Sequence, residues 1–281
     1  MEASRVVVGG YRLFWDDPLL KGALMLAKRD CPYKIAVVDR SMRVKGTLTG
    51  RRVLEVILGE RGTSLMKKEG LSGVLKERVG LFIDEAFHIF TLHTPMSAIL
   101  QYMIENGVGQ VLIVDRRDVL KGIVSDTSIL RKARLMGETK VEDVMVRDVK
   151  TVGFEAPLSQ AVETMTSFRV RRLPVVEEGR IAGLITIRDI LRYIKRKRCL
   201  TEGCGLDEVM DVAVSKVMRK KPITIRPDET LCSAMRKVKR HDISTLPVID
   251  EGLLVGIITR FDILKGLVLE KGAGEVAKLL K

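Results

Sequence analysis

The chain is poor in aromatic residues, histidine and cysteine. Only 4% of its 281 residues are Phe, Trp or Tyr, so it lacks the stacking platforms on which single-strand nucleic-acid binders lean. His88, His93 and His241 are its three histidines, and they stand apart from any Cys or Ser that they could activate as a nucleophile. Four cysteines, Cys31, Cys199, Cys204 and Cys232, are too few and too scattered for a disulfide framework. None has partners at zinc-ligand spacing. No run of about 18 apolar residues is present, the length a membrane span needs. The first ten residues lack the charged start, apolar core and cleavage site of a secretion signal. The sequence contains no GxxxxGK[ST] phosphate loop, no GxGxxG turn and no HExxH helix. These absences leave an enzyme reading little support, require no metal or cofactor, and give the expectation of a soluble, cytoplasmic chain.

Charge is abundant. Charged residues make up 30% of the chain, with a formal net charge of +13, spread over both halves without a basic tail. Such a surface suits anionic partners, whether nucleotide phosphates, nucleic acid or membrane headgroups. Lys195–Arg198, Arg219–Lys221 and Arg236–Arg240 are basic clusters that could meet a phosphate backbone. Charge runs at helix ends are also ordinary solvated faces that complement the helix dipole, so weak electrostatic association with nucleic acid stays open beside that reading.

The strongest positive signal is repetition. LPVVEEGRIAGLITIRDIL, from Leu173 to Leu191, returns ungapped as LPVIDEGLLVGIITRFDIL, from Leu246 to Leu264. The same 73-residue offset carries Met145 to Met218, Thr151 to Thr224, Thr186 to Thr259 and Asp189 to Asp262. One supersecondary unit is therefore used twice. Fainter copies lie upstream, where Ala36–Leu54 aligns with Leu112–Leu130, giving four repeats in two pairs. The expected domains are 1–137, with repeats at about 5–58 and 75–135, and 138–281, with repeats at about 141–196 and 214–268.

Within the third repeat, a short β-prone stretch at Lys150–Val152 leads to Pro157, which suits a helix start. Leu158, Ala161, Val162, Met165 and Phe168 then recur at three- and four-residue spacing, one buried helical face. Arg172–Val176 and Ile181–Thr186 read as strands around a Glu177-Glu178-Gly179 turn, and Ile187–Ile194 returns to helical spacing. The order is β-α-β-β-α, an α/β (α+β) unit. Its three-stranded sheet, covered by helices on one side, cannot close a core alone, so a second copy must pack on it.

These residues resemble the cystathionine β-synthase (CBS) domain family, whose modules pair into a Bateman module. The signature is a Val-Met opener (Val144-Met145, Val217-Met218), a Thr on the first strand (Thr151, Thr224), Leu-Pro-Val or its equivalent on the second, and Gly-aliphatic-Ile-Thr-x-x-Asp on the third. The resemblance implies a regulatory protein of four CBS repeats, archaeal-like. It further implies that the cleft of the C-terminal pair takes an adenosine compound: AMP, ADP, ATP, S-adenosylmethionine or a nicotinamide dinucleotide. Thr186 with Asp189 and Thr259 with Asp262 then look like ribose and phosphate contacts. Leu173-Pro174 and Leu246-Pro247 would cradle the base, and Arg171 and Arg172 occupy the family's phosphate-contact position. Ser244 and Thr245 replace those arginines in the fourth repeat, so the two pockets should differ. Arg188 and Arg260, inside the Thr-x-x-Asp segments, are further candidates. A Thr with Asp three residues on is also an ordinary helix cap, and both readings stand at this point.

The N-terminal pair departs from the signature. Thr49 is followed by Arg52 where Asp is expected, and Ser125 by Ser128. Arg12 or a neighbour and Ile89 replace the first-strand Thr, and the Pro of Leu-Pro-Val is missing from both, with Ala36 and Leu112 in its place. Without the carboxylate a ribose would lose a bond worth ~1.5–3 kcal/mol, so these clefts are expected to be empty or to take something else. Two rival classes remain: a nucleic-acid-associated protein, and a structural or oligomerisation module without a small ligand. Since no catalytic domain is recognised, any output should pass through an effector protein or through self-assembly as a homodimer, with no membrane involved.

Overall fold

A computed structural model describes residues 1–58, 63–85, 88–133, 137–197 and 206–280. Cys199 and Cys204 lie outside them. The first repeat comprises β1 (Arg12–Phe14), α1 (Leu19–Leu26), β2 (Lys34–Val38), β3 (Val44–Thr49) and α2 (Gly50–Ile57), followed by a joint helix α3 (Thr63–Lys76). The second has β4 (Ile89–Thr91), α4 (Met96–Glu105), β5 (Gln110–Val114), β6 (Leu120–Ser125) and α5 (Asp126–Lys132). The third runs β7 (Val152–Gly153), α6 (Leu158–Ser167), β8 (Arg172–Glu177), β9 (Arg180–Thr186) and α7 (Ile187–Arg196). After α8 (Leu206–Met210) come β10 (Arg219–Lys220), α9 (Leu231–His241), β11 (Thr245–Asp250), β12 (Leu253–Thr259), α10 (Arg260–Lys271) and α11 (Ala273–Lys278). The β-α-β-β-α order is borne out in the first three repeats.

Local chemistry explains the hairpins. Glu178 and Gly179 have φ of 48° and 77°, and Glu251 and Gly252 have 47° and 84°. Two positive φ values in succession match the right-handed twist of the strands on either side. In the joint helix, Gly70 breaks the helical path at φ 63° and ψ −179°, a conformation that glycine adopts without steric cost.

The first-strand expectation needs correcting. Thr151 is exposed and lies one residue before β7, while Thr224 precedes Ile225, which makes only an isolated bridge to Val248. Among the described residues the fourth repeat's own sheet has just the two strands β11 and β12.

The chain forms two compact units, each taking one repeat from either half. One unit comprises Tyr11–Ala86 with Lys150–Lys221, and the other Met1–Gly10, Phe87–Val149 and Pro222–Lys281. In the first, Leu19, Leu54 and Ile57 of repeat 1 share a core with Leu158, Ile190 and Ile194 of repeat 3. A Cβ at Gly50 would come within 2.8 Å of Ile187 Cγ2, so glycine sets how closely the starts of α2 and α7 approach. In the second unit, Ile99, Met103 and Ile129 of repeat 2 share a core with Leu264, Leu267 and Val276.

Every repeat sheet also receives the opener of its sequence neighbour. Val8 bridges Ile123 on β6, Asp84 bridges Thr47 on β3, and Val146 bridges Ile257 on β12. Arg219 pairs with Leu184 on β9. Strand residues at the same register are glycines: a Cβ on Gly46, Gly122, Gly183 or Gly256 would collide with the arriving opener. At Gly183 the clash is with Met218, at Gly256 with Met145. The opener Met and the third-strand Gly of the signature are thus one packing contact, made between consecutive repeats.

Candidate functional site

The candidate residues gather where β9 gives way to α7 and where β12 gives way to α10. Thr186 is the N-cap of α7. Its hydroxyl accepts from the Asp189 amide at 3.2 Å, and Asp189 Oδ2 accepts from the Thr186 amide at 3.1 Å and from its hydroxyl at 2.5 Å. Thr259 and Asp262 repeat this on α10, with Asp262 Oδ2 at 2.8 Å from the Thr259 amide and 2.7 Å from its hydroxyl. Both are capping boxes. Each satisfies helix-start donors that would otherwise lack partners, and each occupies only one carboxylate oxygen. The capping reading therefore describes half of each Asp.

The other oxygen distinguishes the copies. Asp189, 5% exposed, offers Oδ1 to Arg219 Nε at 3.1 Å and to Arg192 at 3.4 Å. Asp262 Oδ1 has no hydrogen-bond or ion-pair partner among the described residues. Val146 stands where Arg219 stands in the third repeat, because each pairs with the equivalent residue of its sheet, Ile257 and Leu184. Arg219 was visible in the sequence as part of a basic cluster, but nothing local connects it to an Asp thirty residues upstream.

The remaining candidates surround these caps. Arg172 lies across the strand pair from Thr186, and Thr245 opposite Thr259. Thr245 is buried, with 3% exposure. Arg171 places its guanidinium 3.8 Å over the ring of Tyr33, while its carbonyl accepts from the Ile187 amide and that of Ser244 from the Arg260 amide. Leu173 and Leu246 are fully buried in the two cores, which leaves them no surface for a base. Pro174 and Pro247 are buried too.

Arg188 and Arg260 serve inside their units. Arg188 donates to the backbone carbonyls of Arg29 at 2.9 Å and of Cys31, tying repeat 3 to repeat 1, and burial lowers its pKa. Arg260 donates to Thr127 Oγ1 at 2.9 Å and to Asp242 at 3.3 Å, tying repeat 4 to repeat 2. Both guanidiniums are engaged in assembly and are poor candidates for ligand contact.

In the N-terminal repeats the same positions carry different chemistry. Thr49 caps α2 through the Arg52 amide at 3.1 Å. The Arg52 side chain, 10% exposed, ion-pairs with Glu55 at 3.0 Å and with Asp84. Asp84 occupies the opener position that Arg219 holds, so repeats 1 and 3 carry the same ion pair with its polarity reversed. In repeat 2, Ser125 and Ser128 cap each other, and the opener residue is Val8.

His88 bonds Tyr102 at 2.9 Å and His93 meets Glu2 at 3.4 Å. Burial pushes the Cys31 thiol up to about 12. Among the described residues no cluster could hold a metal ion, and no helix is long and apolar enough to cross a membrane.

The CBS domain family model matches residues 82–134, 141–196 and 214–269; the first repeat, with its Arg52, lies outside the match. The chain is 26% identical over 246 residues to an uncharacterized 33.4 kDa protein in the ribosomal RNA operon of Thermofilum pendens, covering 85% of this chain and 81% of that one. The crystal structure of protein MJ1225 from Methanocaldococcus jannaschii, proposed as an archaeal homologue of γ-AMPK, superposes with a TM-score of 0.85 at 22% identity over 95% of this chain and all of that one. A homoserine O-acetyltransferase of Methanohalophilus mahii is 30% identical over 155 residues, 52% of this chain but only 29% of the enzyme, so repeats of this kind also occur within enzyme chains. With three matched segments covering more than half its length, the chain belongs to the CBS domain family.

Proposed function

We propose that this protein is a non-catalytic regulatory sensor whose third and fourth repeats bind an adenosine-containing ligand such as AMP, ADP, ATP or S-adenosylmethionine. One observation carries the reading: the duplicated Thr-x-x-Asp cap spends one carboxylate oxygen on the helix and, at Asp262, leaves the other without a partner among the described residues. A carboxylate oxygen beside a helix start is suited to accept from ribose hydroxyls, while the helix N-terminus favours phosphate. Arg172, across the strands from Thr186, adds a cation to the third repeat where the fourth has Thr245. Occupancy would be reported to an effector protein or a second copy of the chain.

A thermal-shift panel of AMP, ADP, ATP, S-adenosylmethionine and reduced nicotinamide dinucleotide tests this, since a ligand at 100 times its dissociation constant adds ~2.7 kcal/mol to stability. Stabilisation by at least one compound is expected. A flat response to all five would sink the proposal.

A second reading has its own observation. Ser233, Arg236, Lys237, Arg240 and His241 line a concave surface on α9 together with Ile223. Arg236 and Arg240 have no partner among the described residues. That surface favours loose, salt-sensitive association with nucleic-acid phosphates.

A further inference from the structure

The two acceptor carboxylates sit in the same local frame but differ in one neighbour, and that neighbour arrives on the opener of the following or preceding repeat. At Asp189 it is Arg219, with Nε 3.1 Å from Oδ1. At Asp262 it is Val146, which is 44% exposed and offers no hydrogen bond. Lys265, at the place of Arg192, makes no ion pair with Asp262 among the described residues. Two backbone bonds of 2.9 Å hold Val146 to Ile257, and Arg219 is fixed by its pairing with Leu184 and by Met218 seated at Gly183. Arg219 therefore starts from a fixed backbone, and the head group that reaches Asp189 belongs to a side chain still 46% exposed. It is tethered at its root and free to leave at its tip.

We infer that Arg219 is a latch on the third repeat: it occupies the Asp189 oxygen that a ribose would need, so the fourth repeat fills first and the third only when Arg219 is displaced. This rests on the reading of both aspartates as ribose acceptors. The reversed pair in repeat 1 supports the assignment, because Arg52 and Asp84 bring the same two positions together. An opener side chain meeting the third residue of the helix is thus a recurrent contact, and repeat 3 is the copy in which the acceptor is present and covered. A ligand must replace a charge-assisted bond made by a half-exposed arginine, a contact of modest strength that salt weakens. Once displaced, the guanidinium remains beside the pocket as a cation, so a phosphate-bearing ligand recovers part of the lost interaction and uncharged adenosine recovers none.

The test is calorimetric titration of the full chain with adenosine and with AMP. An Asp262→Ala chain isolates the third repeat. Adding Arg219→Ala there should tighten adenosine roughly three- to tenfold, the factor expected for releasing such a pair, and Val146→Arg in the wild-type background should weaken the fourth site comparably. Raising salt should tighten adenosine in the Asp262→Ala chain and lose that effect once Arg219 is gone. If wild type binds but Arg219→Ala leaves adenosine unchanged or weaker, the latch is wrong and the acceptor reading stands. A loss for AMP alone would make Arg219 a phosphate contact instead. If neither compound binds wild type or any variant, the acceptor reading falls and the latch falls with it.

Discussion

Repeats 3 and 4 share the Thr-x-x-Asp cap, yet one Asp is paired with a guanidinium and the other has a valine at the equivalent opener position. Repeat 1 pairs the same positions with the charges exchanged, and repeat 2 has a serine and a valine there. The lesson is that a motif fixes the local geometry of a carboxylate without fixing its availability. Availability depends on a segment that lies next to the motif in space because consecutive repeats exchange their openers.

The most direct way to break the comparison is to remove each carboxylate. Asp262→Ala should cost ~1.5–3 kcal/mol of binding at the open site, about ten- to a hundredfold, with a small change in melting temperature. Asp189→Ala should cost less binding and more stability, because it leaves the Arg219 and Arg192 guanidiniums without their carboxylate. Titration and thermal melts on both variants decide; equal binding losses would show the two acceptors to be equally available.

A somewhat smaller effect is expected from crowding the opener seats. Gly183→Val places a branched side chain where Met218 packs, and Gly256→Val does the same to Met145. Overpacking of this kind costs ~1–3 kcal/mol, measurable by denaturant unfolding. The comparison sharpens in the binding data. Gly183→Val should also loosen Arg219 and improve adenosine binding at repeat 3, whereas Gly256→Val moves only a valine. Improvement in both, or in neither, would uncouple opener seating from the acceptor.

These contrasts also mark what the sequence could and could not reveal. The start of α6 at Leu158, the two positive-φ hairpins and the strand Leu253–Thr259 follow from periodicity and turn chemistry, which act over a few residues. The capping pairs were equally legible, since Thr and Asp three apart meet on any helix start. Partnerships made at long range were hidden. Neither Arg219 with Asp189, nor Asp84 with Arg52, nor Arg188 with the carbonyls of residues 29 and 31 leaves a periodic trace. Arg188 looked like a ligand contact because it lies inside the Thr-x-x-Asp segment, whereas its long side chain reaches back into the unit. The signature glycines were visible as letters, but their cause, an arriving methionine, required the fold.

The reversed pair in repeat 1 offers a stability version of the comparison. Asp84→Ala takes one carboxylate partner from the largely buried Arg52 and should destabilise by about 1–2 kcal/mol. Arg219→Ala removes the half-exposed partner of Asp189 and should cost no more than ~1 kcal/mol. A double-mutant cycle on each pair, read by denaturant melts, would return the larger coupling for Arg52 with Asp84. A larger coupling for Asp189 with Arg219 would make that contact a structural clamp and weaken its description as a displaceable latch.

The smallest expected effect concerns the phosphate. Arg172 faces Thr186 across β8 and β9, and the fourth repeat replaces it with the buried Thr245, so only the third repeat can set a strand-borne cation beside its acceptor. For a partly exposed side chain, one charge on a phosphate is worth ~0.2–1 kcal/mol, or up to roughly fivefold in affinity. Arg172→Ala should therefore weaken AMP at repeat 3 by that factor, leave adenosine unchanged, and lose its influence at high salt as the charges are screened. Combined with Arg219→Ala, the two substitutions separate the arginine that covers the acceptor from the one that serves the phosphate: the first tightens adenosine, the second weakens AMP. If Arg172→Ala weakens both compounds alike, its contribution is to the packing around Thr186, and the difference between the two repeats reduces to Arg219 alone.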